Sequence, residues 1–415
     1  MRHTIIIGGG AAGMAAAIAA AERGDRVTVL ERGRKPLKKL GVTGNGRGNL
    51  LNCGQPEFYG DVDFALEVLR HMPYEKIAAF LNDAGIPLVH EEAGRMYPSS
   101  FLASSAVDAL KLRAQELGVS VNINTRAVHI IRKEKSFSVR CLRSIYGEDT
   151  MRKNGRVKPG ELIGEEPCEY TGDRVIVTVG GAAAPMHGTD GTAYTLLSEH
   201  GHTLAPIRPA LCALVTDKAP LEGLSGQRVR AHLTLLDKDG QPLCESAGEA
   251  LFADDGVSGI AAMQLSRFAH DGCTLMMDLR VAVSGDADAD MEKWLIQRAG
   301  RVSDAKHLLT GACTPQLANA LWRMSGDRAS LSPEALCALA GAIRHYRIPV
   351  RGTRGFDSAQ VTAGGIRTAD FDAAAMESRL CPGLYAAGEV LDVDGGCGGH
   401  NLMFAFASGL LAGMA

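Results

Sequence analysis

A glycine hexapeptide, Gly8-x-Gly10-x-x-Gly13, stands between a short β-branched run and an alanine-rich segment, and it restricts the fold more than any other feature of the chain. Residues 4–7 suit a buried parallel strand. Residues 11–23 are dominated by alanine, a strong helix former with little bulk to keep it off a sheet. Gly24-Asp25 ends that helix, and residues 26–30 (RVTVL) read as a second strand. In such a strand–turn–helix–strand unit Gly8 allows the tight turn, Gly10 lets backbone approach a pyrophosphate, and Gly13 lets the helix pack on the strand. The phosphates then meet free N–H groups at the positive end of the helix dipole. Glu31 ends the second strand, about 20 residues on, where a carboxylate bonds a ribose hydroxyl pair. A glycine turn that only packs does not account for Glu31. The pattern predicts dinucleotide binding.

Two other glycine-rich stretches carry polar groups. Residues 43–49 read Thr-Gly-Asn-Gly-Arg-Gly-Asn, a loop able to wrap an anionic ligand, with Arg47 placed to meet a phosphate through two parallel N–H bonds. A surface loop is the plain alternative. Near the C-terminus, Gly388-Glu389 follows a strand pattern, and residues 392–401 (DVDGGCGGHN) open an apolar helix over 401–411. A carboxylate at a strand end suits a sugar-like hydroxyl, and a glycine-rich helix start suits negative charge on a ring such as reduced flavin. Asp392, Asp394 and His400 offer metal ligands, but their spacing matches no metal motif and no metal is expected. Cys397 has no partner cysteine nearby and reads as a bystander.

Between these motifs, residues 34–53 form a loop, and helices are expected over 63–69, 74–84 and 104–117, the last capped by Ser104 or Ser105. Strands are expected over 119–124, 127–131 and 137–142. The polar stretch 144–172 reads as a surface excursion or a hairpin insertion, and a strand over 174–179 runs into Gly180-Gly181. Beyond about residue 190 alternating strands appear near 211–216, 229–236 and 274–279. Helices follow over 290–299, 304–309, 315–324 and 333–346, and strand pattern resumes near 347.

Composition narrows the partners. The formal net charge is -3, with no basic run, so a nucleic-acid partner is disfavoured. Ten cysteines stand singly without a C-x-x-C pair, which points to reduced thiols in the cytoplasm and away from dithiol chemistry. No run reaches the roughly 18 apolar residues of a membrane span, so no membrane partner is expected. The oligomeric state is open.

Taken together, IIIGGGAAGMAAAIAA, LGVTGNGRGNLLN, GEALFADDGVSG, VTAGGI and PGLYAAGEVLDVDGGCGGHNLMFAFASG resemble the BaiN-like family of NAD(P)/FAD-dependent flavoproteins, within the glutathione-reductase-like FAD-binding superfamily, over nearly the whole chain. The resemblance implies an α/β fold: a Rossmann-like FAD-binding domain built from both chain ends (1–190 and 350–415), an inserted β-rich domain (191–280 and 326–349) and a small helical domain (281–325). It puts the ADP half of FAD on Gly8, Gly10, Ala12, Gly13, Glu31 and Arg32. Thr43, Gly44, Gly46, Arg47 and Asn49 line the pyrophosphate and flavin side, and the Val128 backbone meets adenine. Gly180 and Gly181 form a second turn near the cofactor, Gly388 and Glu389 stand at the ribityl chain, and Asn401 and Leu402 begin the helix aimed at the flavin ring. This chain departs from the family pattern at Gly48, usually cysteine, at Ile260, usually proline, and at Cys397 and His400 beside the implied flavin face.

The implied function is an FAD-dependent oxidoreductase that moves a hydride through flavin N5 and reduces a carbon–carbon double bond conjugated to a carbonyl in a small molecule, with NAD(P)H as a transient electron donor. No second G-x-G-x-x-G follows a strand, so nicotinamide has no domain of its own, and oxygen is the other redox partner to weigh. The alternatives are an FAD oxidase of a small amine or hydroxy compound and a non-catalytic flavin-binding redox sensor; the charge balance disfavours a folate- or tRNA-linked flavoprotein. Tyr97, Tyr194, His187 and His400 are the proton-donor candidates, and none is assigned as catalytic.

Overall fold

The structure, a computed structural model, describes residues 1–151, 157–158, 160–326 and 329–415. The chain forms two compact units, one from Met1–Arg208 with Val361–Ala415, the other from Pro209–Gln360.

The first unit is built on a five-stranded sheet in the order Leu384–Ala386, Arg174–Val177, His3–Ile7, Arg26–Leu30, Ser120–Asn122, with every neighbouring pair parallel. Its central strand is fully buried at Ile5 and Ile6, as a strand covered on both faces requires. The helix Ala11–Glu22 is buried from Ala12 to Ala20, because the C-terminal helix His400–Met414 covers it. The contact is backbone-close: a Cβ added to Gly409 would lie 2.3 Å from the Ala12 carbonyl oxygen, and one added to Gly413 would lie 2.5 Å from that of Ala16. Small residues on both helices thus bring the two ends of the chain together. Arg174, 2% exposed, fastens the junction. Its guanidinium donates to the carbonyls of Ala412 and Gly413 at 2.9 Å each, to Thr4 Oγ1 at 2.7 Å and to Asp25 at 3.1 Å.

A second joint lies further along, where Val393–Gly395 pairs antiparallel with Phe58–Gly60. The stretch expected as an excursion or hairpin is a hairpin: Phe137–Tyr146 pairs antiparallel with Leu162–Gly172, and Thr125–Arg132 adds a third strand. Part of its tip, 152–156 and 159, lies outside the described residues. The helix Ala103–Glu116 corrects one expectation, since neither Ser104 nor Ser105 caps it. It begins a residue earlier with Leu102 at the N-cap, so both serines fall inside the first turn, and the Ser105 hydroxyl donates to the Leu102 carbonyl at 2.8 Å.

The second unit holds a closed six-stranded barrel: Leu214–Thr216, Gly256–Ser258, Pro242–Ala253, Arg228–Leu236, Thr274–Asp278 and Tyr346–Thr353, the last pairing back on the first. Helices Met291–Ala299, Pro315–Met324 and Pro333–Arg344 share its core, with Leu295, Leu321 and Leu339 buried beside Leu233, Leu275 and Ile348. The helix expected over 304–309 is only a 3-10 turn, Ala305–His307, because the Asp304 carboxylate takes the Lys306 N–H and closes it locally. Among the described residues no helix is long and apolar enough to cross a membrane.

Candidate functional site

The glycine turn at the end of the first strand is held by its own backbone. Gly8 has φ 106°, and a Cβ on Gly13 would lie 1.9 Å from the Gly8 carbonyl oxygen. Gly10 differs. It is the N-cap of the helix, without a side-chain capping bond, and a Cβ there would meet nothing within 4 Å. The first helical turn carries no acidic residue, so its free N–H groups and dipole face open space at Gly10. Glu31, 9% exposed, leans back on this turn and accepts from Gly9 N at 2.8 Å and Gly33 N at 2.6 Å. Two backbone donors fix the carboxylate, and its further lone pairs stay available.

A cavity of about 200 Å³ opens beside the turn. It gathers Gly8, Gly10, Glu31, Arg32, Val128, Gly180, Gly181 and Glu389 from the expected set. Ala12 and Gly13 stand behind it, Ala12 against Gly388 and Gly409, and Gly13 against Gly8. Arg32 reaches across to Asp190 with a two-pronged bond, 2.9 Å on each arm. The Arg32 bond holds the Asp190 carboxyl well below the usual carboxylate range, helped by Thr192. Lys39 Nζ lies 2.7 Å from Glu389 Oε2, while Glu389 Oε1 accepts from Thr362 N at 2.8 Å. Thr362 Oγ1 in turn accepts from Ala182 N and Ala183 N at 2.8 and 3.0 Å, so this hydroxyl steadies the second glycine turn. His187 also lines the cavity, its pKa lowered by burial and by Lys38 and Lys39.

The remaining expected residues form a second cluster around the start of the C-terminal helix and do not line this cavity. Thr43 Oγ1 donates to the Leu40 carbonyl at 2.8 Å, and Gly44 and Gly46 take positive φ in the same loop. Arg47 is engaged by protein: it pairs with Glu91 at 2.6 Å and lies over the rings of Tyr97 and Phe101 at 4.6 and 4.9 Å. Asn49 Oδ1 is buried without a hydrogen-bond partner among the described residues. Asn52 Nδ2 donates to the Gly398 carbonyl at 2.9 Å. The Asn401 amide pins the glycine loop, accepting from Gly395 N and donating to Gly395 O, both at 2.8 Å. Leu402 packs on the core of the unit, and Gly388 N donates to Ser408 Oγ at 3.0 Å. Burial pushes the Cys397 thiol up, which keeps it protonated and weakly nucleophilic.

Three groups on the cavity, Lys39, Asp190 and Tyr194, carry no binding signal in the sequence. Tyr194 is 3% exposed and its buried hydroxyl has no partner among the described residues. A helix start open at Gly10, a carboxylate fixed by two N–H groups, and buried polar atoms on Tyr194 and Asn49 without partners fit a phosphate- and hydroxyl-rich ligand such as FAD.

The HI0933-like protein Rossmann domain family matches residues 2–415. The chain is 34% identical over 432 residues to the 3-dehydro-bile acid delta(4,6)-reductase of Clostridium scindens, an alignment covering 100% of this chain and 99% of the relative. It is 27% identical over 417 residues to the ribosomal RNA dihydrouridine synthase of Escherichia coli (97% of this chain, 95% of the relative) and 26% identical over 419 residues to that of Haemophilus influenzae (98% and 96%). The chain belongs to the HI0933-like Rossmann-domain family and is an FAD-dependent oxidoreductase.

Proposed function

We propose that this chain reduces a carbon–carbon double bond conjugated to a carbonyl in a small molecule, with electrons from NADH or NADPH. The 34% identity to a 3-dehydro-bile acid delta(4,6)-reductase across the full length of both chains carries this reading. Bound FAD supplies hydride transfer through its ring. The chain's own residues bind and orient it. The Gly8–Gly13 turn presents N–H groups to phosphate, Glu31 and Glu389 accept from sugar hydroxyls, and Gly180 with Gly181 lets backbone come close. On this reading Thr43, Gly44, Gly46 and Asn49, with Asn401 and Leu402, border the flavin end, and Asn401 acts by holding the 395–401 loop in shape. Arg47, already paired with Glu91, serves to brace that loop.

Anaerobic mixing tests the reading. NADH or NADPH is expected to bleach the flavin band, and a 3-oxo steroid with double bonds at C4 and C6 is expected to restore it. Bleaching by an amine or hydroxy compound with peroxide release in air would instead establish an oxidase, and no bleaching by any of these donors would favour a redox sensor.

A second reading has its own support in the dihydrouridine synthase relatives, which match the chain at 26–27% identity. A uracil ring is also an alkene conjugated to a carbonyl, so the same chemistry extends to RNA. The net charge of -3 favours the small molecule. Reduced protein that is reoxidised by ribosomal RNA and not by the steroid would reverse that choice.

A further inference from the structure

We infer that Tyr194 is a cofactor-binding residue, its hydroxyl donating a hydrogen bond to a phosphate or sugar oxygen of FAD; this rests on FAD occupying the cavity beside the glycine turn. Buried tyrosine hydroxyls ordinarily find a partner, and one left without costs about 1–3 kcal/mol. Tyr194 lies on the cavity wall at 3% exposure, and its hydroxyl bonds to nothing among the described residues. The residue is nonetheless held firmly. It closes the 3-10 turn Thr192–Tyr194, and Asp190 secures that turn by accepting from Thr192 N at 3.1 Å and Thr192 Oγ1 at 2.6 Å. Asp190 is itself gripped by Arg32, and the Tyr194 ring packs on Gly191, within 3.5 Å of where its Cβ would lie. A rigidly placed hydroxyl without a partner is the arrangement of a binding group waiting for its ligand. Burial and the carboxylates of Glu389 and Asp392 keep the phenol protonated, so it acts as a donor. Among the described residues no acceptor bonds to the hydroxyl, which leaves the acceptor to the ligand.

Tyr194→Phe removes the hydroxyl and nothing else. FAD titrated into the stripped protein is expected to bind the variant about five- to tenfold more weakly than wild type, the size of one net hydrogen bond. The melting temperature of the FAD-free variant is expected to equal or exceed that of wild type, because a hydroxyl without a partner has gone. Equal FAD affinity in the two proteins overturns the inference and leaves the cofactor reading standing. A fall in the FAD-free melting temperature also overturns it, since that would give the hydroxyl a structural partner. Wild-type protein that takes up no FAD overturns the cofactor reading as well.

Discussion

Gly10 and Gly13 stand three residues apart and are expected to answer one added methyl group in opposite ways. At Gly10 the methyl enters open space and φ is -77°, so Gly10→Ala should fold with a melting temperature close to wild type while FAD affinity drops at least about tenfold, as a methyl occupies room the phosphates need. At Gly13 the methyl meets the Gly8 carbonyl oxygen at 1.9 Å, and Gly13→Ala should cost about 3 kcal/mol in denaturant unfolding. A Gly10→Ala protein that binds FAD like wild type would show that the ligand lies elsewhere. The turn and the place of Glu31 beside it were legible because the glycine spacing and the strand–helix–strand context together prescribe that geometry. Tyr194 was not legible as a cavity residue, since nothing local distinguishes a buried tyrosine on a cavity wall from one in a core. Arg47 shows the converse. Its sequence context points to a phosphate, while its contacts with Glu91, Tyr97 and Phe101 are visible only in the fold.

Among the elements, the contact between the first helix and the last decides whether the two chain ends meet. Gly409→Val should weaken the first unit by about 3 kcal/mol or more, because the Ala12 carbonyl oxygen lies 2.3 Å from the new Cβ. Arg174→Met tests the same junction from the sheet. It strands the carbonyls of Ala412 and Gly413 and one partner of Asp25, and should cost about 3 kcal/mol by urea unfolding; no loss would mean that the small-residue packing suffices. The strand–helix–strand unit was readable to within a residue or two, since buried parallel strands and an alanine helix have strong local signatures. The barrel was not. Its strand Pro242–Ala253 carries Cys-Glu-Ser-Ala-Gly-Glu through the middle, mostly exposed, so it lacks the alternation that marks a strand, and closure depends on pairings between distant segments such as Leu214 with Thr353.

For the whole molecule, buried histidines set the response to acid. His202 and His400 are 3% and 4% exposed, and burial lowers both pKa values, against the opposing charges of Asp370 and Glu57 respectively. The unfolded chain therefore binds more protons near its ordinary histidine pKa, about 6.5. Stability is full above that pH and declines as pH falls toward the lowered folded values. Urea midpoints should drop between pH 7.5 and pH 5.5, and drop less in the His202→Gln, His400→Gln double variant; equal drops would assign the acid sensitivity to other groups. The proposed function requires segments from both ends of the chain to close on one cofactor. Hydrogen exchange followed by mass spectrometry, with and without saturating FAD, reads this directly. Added FAD should slow exchange together in residues 8–13, 180–194 and 388–402. Protection confined to one end of the chain, or absent from both, would contradict it.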